Sequence, residues 1–114
     1  MQKFLRLNAT TKNDRHQVIE AVKDAIAVNG GWILDFTQFS NLSICFRLEL
    51  PLEKVAMLGS ALSEANLQLS ESATLAIKEL TGEEVGATDL LATLQITFVH
   101  DEPDLRIPVP MIPG

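Results

Sequence analysis

Between residues 42 and 50 the chain alternates without a fault. Leu42, Ile44, Phe46, Leu48 and Leu50 are apolar, and Ser43, Cys45, Arg47 and Glu49 stand between them. Period two sends successive side chains to opposite faces, so this pattern fits a β-strand with one face in a core and the other outside. A strand of that kind belongs to a sheet covered on one side only. The chain therefore needs helices for one face, and the rest of the sequence must supply them.

The preceding stretch offers a hairpin partner. Trp32, Leu34 and Phe36 alternate with Ile33, Asp35 and Thr37. Facing both apolar sets to the core pairs Phe36 with Ile44, Leu34 with Phe46 and Trp32 with Leu48. That register leaves Phe39, Ser40 and Asn41 as a three-residue loop, with Asn41 suited to its left-handed position. A two-residue loop would set Asp35 in the core opposite Phe46, and an unpaired buried carboxylate is costly. The outer sheet face then carries Ile33, Asp35, Thr37 and Phe39 from this strand.

Leu5, Leu7 and Ala9 alternate with Phe4, Arg6 and Asn8, a half-buried first strand. Asp14 and Gln17 form a capping-box pattern, and Val18, Val22, Ala25 and Ile26 follow at helical spacing. A helix over 14–29 results, stopped by Gly30 and Gly31. Pro51 suits the first turn of a second helix, whose stripe is Val55, Leu58, Gly59 and Leu62 and which ends near Asn66. Leu67, Gln68 and Leu69 read as a brief extended segment. Ser70 caps a short extra helix with Ala73, Ala76, Ile77 and Leu80 on one face. Residues 81–89 read as an exposed loop. Over 90–100 the last strand points Ala92, Leu94, Ile96 and Phe98 inward and Thr93, Gln95 and Thr97 outward.

The order predicts an α+β fold: a ferredoxin-like β-α-β-β-α-β sandwich, with a four-stranded antiparallel sheet and helices on one face. The domain spans 1–100. An extended proline-rich tail over 101–114 follows, where Pro103, Pro108, Pro110 and Pro113 exclude helix. Its aliphatic residues Leu105, Ile107, Val109, Met111 and Ile112 predict a tail packed on this domain or on a partner subunit.

At 114 residues and 46% hydrophobic, the chain can bury a core without staples. The net charge of −6, with arginines scattered singly, argues against nucleic acid as a partner. No apolar run reaches the roughly 20 residues that span a bilayer, so no membrane partner is expected. The start of the chain has no signal-peptide pattern, and a single cysteine cannot form an internal disulfide. A cytoplasmic protein is the expectation.

Asn13-Asp14-Arg15 before the first helix, Gly30-Gly31-Trp32-Ile33-Leu34-Asp35 after it, and Phe46 in the third strand resemble the ACT-type regulatory domains, particularly those of the glycine-cleavage repressor group. The resemblance covers roughly residues 3–69. That family commonly binds amino acids or other small molecules at interfaces between domains, near the first strand–helix turn. The resemblance thus implies ligand-binding residues at Asn13, Asp14, Arg15 and His16. The family's turn usually carries a proline and a glycine where His16 and Gln17 stand here.

Catalytic patterns are missing from the sequence. Cys45 has no neighbouring His or Lys to make it a nucleophile and reads as a structural thiol. His100, Asp101, Glu102 and Asp104 offer metal-ligating groups, but Pro103 spreads them, so no metal site is expected. Glu83 and Glu84 fall in a solvated loop, poor ground for an acid–base pair. No cofactor is implied. The expectation is a non-enzymatic small-ligand-binding or regulatory module that acts as a homo-oligomer. The alternatives are a structural or protein-interaction domain without a small ligand, and a small ferredoxin-fold enzyme.

Overall fold

The computed structural model describes residues 3–40, 42–81 and 89–99. They form β1 (Lys3–Thr11), α1 (Arg15–Val28), β2 (Trp32–Ser40), β3 (Ser43–Pro51), a 3-10 turn (Leu52–Lys54), α2 (Val55–Glu64), β4 (Gln68–Leu69), α3 (Glu71–Thr81) and β5 (Asp89–Phe98). The fold is α+β: one five-stranded mixed sheet and three helices. The residues of the 101–114 tail and of the 82–88 loop lie outside the described residues.

Strand order is β2-β3-β5-β1-β4. The sheet is therefore not the expected four-stranded antiparallel one. β5 runs parallel to β1 and antiparallel to β3, pairing at nine positions with each. Without β5 the order would be β2-β3-β1-β4, the ferredoxin-like arrangement. The last strand thus stands in the middle, and its expected edge place beside β1 is taken by the two residues of β4, with Ala9 opposite Leu69 and Thr10 opposite Gln68. The cause lies in β5 itself. Leu90, Ala92, Leu94, Ile96 and Phe98 are all buried on one face. A strand apolar over its whole inner side removes most area from water where it has a neighbour on each side and helices above.

The inner face also takes Leu5, Leu7 and Ala9 from β1 and Ile44, Phe46, Leu48 and Leu50 from β3. Val18, Val22 and Ile26 of α1 and Val55, Leu58 and Leu62 of α2 cover it. Ala73 of α3 is buried too, with Ala76, Ile77 and Leu80 packed at the margin.

The hairpin departs from its expected register. Phe36 pairs with Phe46 and Ile33 with Leu48, and register shifts fall at Leu34 and Phe39. Ser40 pairs with Ser43, so the turn is two residues and not three; its Asn41 lies outside the described residues. Each bulge adds one residue to β2 and reverses the phase of alternation. The first puts both Ile33 and Phe36 on the helix side while turning Asp35 outward, where its carboxylate meets the Arg47 guanidinium at 2.6 Å. The bulge thus removes the conflict that had argued against a two-residue turn. Ile33 moves from the expected outer face to the core margin, and Trp32, opposite Glu49, leaves the expected inner set. Pro51 ends β3 and precedes the 3-10 turn, one step earlier than the helical place expected for it.

α1 and α2 end in the same way. Gly30 has φ of 80°, and the Gly31 and Gly30 amides donate to the carbonyls of Ile26 and Ala27 at 2.9 and 3.1 Å. Asn66 has φ of 69°, and the Leu67 and Asn66 amides donate to Leu62 and Ser63 at 3.1 and 3.0 Å. These paired bonds satisfy carbonyls that a helix end leaves free. Gly31 is also held by space. A Cβ there would lie 2.7 Å from the Glu49 carbonyl oxygen and 2.8 Å from the Leu50 Cβ, neither of which can swing away. Gly31→Ala is expected to lower the unfolding free energy by about 1–3 kcal/mol, read as a lower urea midpoint at unchanged slope.

Candidate functional site

β1 and β5 are parallel neighbours, and their carboxyl ends stop side by side at Thr11 and Phe98. Ligands of open α/β sheets gather outside such ends, where the chain leaves for a helix. Here the chain turns through Lys12, Asn13 and Asp14 into α1. The Thr11 hydroxyl holds this turn: it donates to the Asn66 carbonyl at 3.0 Å and accepts from the Asn13 amide at 3.1 Å. The Asn13 side-chain amide reaches the Ala65 carbonyl at 3.5 Å. The turn is therefore tied to the end of α2 from two sides. On the β5 side, Val99 N–H donates to Thr11 and Phe98 N–H to Leu42, both at 2.8 Å.

Two adjoining depressions open on either side of this turn and share Lys12 and Asn13. One, about 540 Å³, runs from Thr10 and Thr11 past Asn66 and Gln68 to Val99. The other, about 500 Å³, is formed by Asp14, Arg15, His16, Ile19, Leu42 and Phe98 with the shared pair. Volumes of this order suit a small molecule. The expected set Asn13, Asp14, Arg15 and His16 is thus brought together on the second depression, and Asn13 also borders the first.

Their tasks differ. Asp14 caps α1, its Oδ2 accepting from the amides of His16 at 3.0 Å and Gln17 at 3.3 Å. Those amides are engaged, so an anion at this end would be met by side chains. Arg15 sets its guanidinium over the Phe98 ring, 6.0 Å from the centroid, a cation–π contact that keeps the cation at the rim. His16 is exposed. Lys12 adds a second basic side chain. Lys12, Leu42, Phe98 and Asn66 were not anticipated. Lys12 adjoins the predicted set and proximity alone could have found it, whereas the other three arrive by long-range pairing.

The outer sheet face is largely polar. Arg6, Asn8 and Thr10 of β1 lie beside Thr93, Gln95 and Thr97 of β5, and Gln95 donates to the Ser43 hydroxyl at 3.3 Å. Cys45 sits among them, half-buried. Burial pushes its thiol up, the Asp35 carboxylate adds to the rise, and Arg47 opposes it. The thiol form is favoured, which makes Cys45 a poor nucleophile. Among the described residues no group of three or more His, Cys, Asp or Glu side chains is placed to hold a metal ion, and His100 to Asp104 lie outside them. No helix among the described residues is long and apolar enough to cross a membrane.

No family model matches the chain, and comparison with curated proteins and with solved structures finds no significant relative.

Proposed function

We propose that this chain is a cytoplasmic, non-enzymatic module that binds a small carboxylate-bearing molecule, of the amino-acid class, and works as a homo-oligomer in the manner of ACT-type regulatory domains. The observation that carries the reading is the pair of depressions meeting on Lys12 and Asn13 at the carboxyl ends of the parallel strands. Arg15 and Lys12 supply cations for a carboxylate, and arginine presents a planar fork that matches one. Amide and hydroxyl groups of Asn13, Asn66 and Thr10 supply the neutral hydrogen bonds that fix orientation. The inserted central strand sets this chain apart from a plain ferredoxin-like sandwich, so the analogy extends to the turn and its helix, and the ligand argument rests on the charges.

Thermal unfolding in the presence of each free amino acid and a set of simple carboxylates tests it. A ligand selective for the folded state adds ~2.7 kcal/mol at 100 times its Kd, so at least one compound is expected to raise the midpoint by several degrees. The gain should shrink in Arg15→Gln. A panel that leaves the midpoint unmoved favours the second reading, an interaction domain without a small ligand. The exposed apolar residues of β2 are the observation on its side.

A further inference from the structure

We infer that the free edge of β2 is the surface through which two copies of this chain associate, strand against antiparallel strand, into a continuous ten-stranded sheet. The inference deepens the oligomer part of the proposed function and rests on it; the ligand part is independent.

The two sheet edges are unlike. β4 is two residues long, so it offers little to pair with. β2 is nine residues long and, among the described residues, has one neighbour, β3. No described strand pairs with the amides and carbonyls of its other side, the unpaired row that a sheet edge presents. Natural edges of this length are usually guarded by lysine, proline or an inward charge. Trp32–Ser40 contains no lysine, arginine or proline. Its single charge, Asp35, points to the outer face and is matched within the same chain by Arg47. Although the whole chain carries −6, this edge presents no net charge to an approaching copy.

It is also the apolar part of the surface. Of the ten large apolar residues exposed among the described residues, Trp32, Leu34, Phe36, Phe39 and Leu42 lie on β2 and its turn. Phe36 faces the helix side, yet it is 47% exposed, with no further strand beside it among the described residues. The two bulges fall at Leu34 and Phe39 and leave residues 35–38 in regular alternation between them. Pairing is centred there.

A two-fold axis through an antiparallel pair sets one residue opposite itself. On Asp35 it would oppose two carboxylates, and like charges directly opposite are destabilising. On Phe36 it brings two half-exposed rings together on the helix side and places Asp35 opposite Thr37 of the other copy. That register covers the most apolar area without opposing charges. Because β4 is short, copies cannot add head to tail from β2 to β4, so association closes at two.

Sedimentation of the full chain at about 100 µM, with dilution followed by the emission of its one tryptophan, Trp32, tests the inference. A dimer is expected, with Phe36→Lys weakening association on the order of tenfold or more. Hydrogen exchange on the unaltered chain serves if that variant folds poorly. Outward amides of residues 35–38 should be slow in the dimer and fast on dilution. Phe36→Cys in a Cys45→Ser background should form a covalent dimer on oxidation. A dimer with β2 amides exchanging as an open edge, unaffected by Phe36→Lys, overturns this surface and leaves the oligomer reading standing. A monomer throughout overturns both.

Discussion

Phe46→Ala is expected to lower the unfolding free energy by about 3–5 kcal/mol, a large share of the roughly 5–15 kcal/mol that a domain of this size has. Phe46 is fully buried at the centre of the inner face, between Phe36 on β2 and Leu94 on β5. Its ring stacks on Phe36 with centroids 5.5 Å apart and an interplanar angle of 22°. Such a pair adds about 0.5–1.5 kcal/mol beyond area burial. Removing Phe46 deletes both the stack and the filled volume, and β-sheet neighbours fixed on either side leave little room for collapse. Within one protomer Phe36→Ala loses only the stack and a half-exposed ring, so about 1 kcal/mol is expected at a concentration where the chain is monomeric. Urea denaturation of the two variants at one fixed protein concentration separates them, the concentration being held because self-association shifts apparent stability. Equal losses in the two variants would contradict the burial difference on which the prediction stands.

How much of this was legible follows from what alternation encodes. Which residues of β1, β3 and β5 face inward was readable, because period two fixes faces without knowledge of neighbours. The start of α1, the ends of α1 and α2 and the start of α3 were readable for a local reason as well, whereas α2 begins at Val55, after Pro51 has closed β3 and a 3-10 turn has intervened. Asp14 caps, Gly30 and Asn66 take the left-handed stop, and the Ser70 hydroxyl accepts from the Ala73 amide at 3.1 Å, each using atoms a few residues apart. Strand order was not legible, since it depends on which strands meet across more than eighty residues, as β1 and β5 do. The β2 register failed because bulges are invisible to strict alternation. Trp32, Leu34 and Phe36 look like one face until Leu34 is counted as an extra residue. The candidate site divides along the same line. Asn13 to His16 come from one turn and were found together. Asn66, Leu42 and Phe98 reach that turn through the Thr11 hydroxyl and the last bonds of β5, and no local pattern announces them.

The central place of β5 makes the second large prediction. Leu94 is fully buried, with Leu7 on one side and Phe46 on the other in the same row across the sheet. Leu94→Ala is expected to cost about 2–5 kcal/mol, the upper part of that range applying where surrounding strands cannot close the space. Loss of stability alone would not distinguish a central strand from a well-buried edge, so hydrogen exchange carries the distinction. A central strand donates its amides alternately to two neighbours, and none is left to water. Amides from Leu90 to Phe98 are therefore expected to exchange only through global opening, at a rate matching the unfolding free energy from urea. In the four-stranded antiparallel alternative β5 would be an edge, and every second amide would face solvent and exchange fast. Leu94→Ala should speed all the β5 amides by one common factor, equal to its loss in global stability. Acceleration confined to alternate amides would instead mean that one flank of β5 opens by itself, and that the strand is not held from both sides.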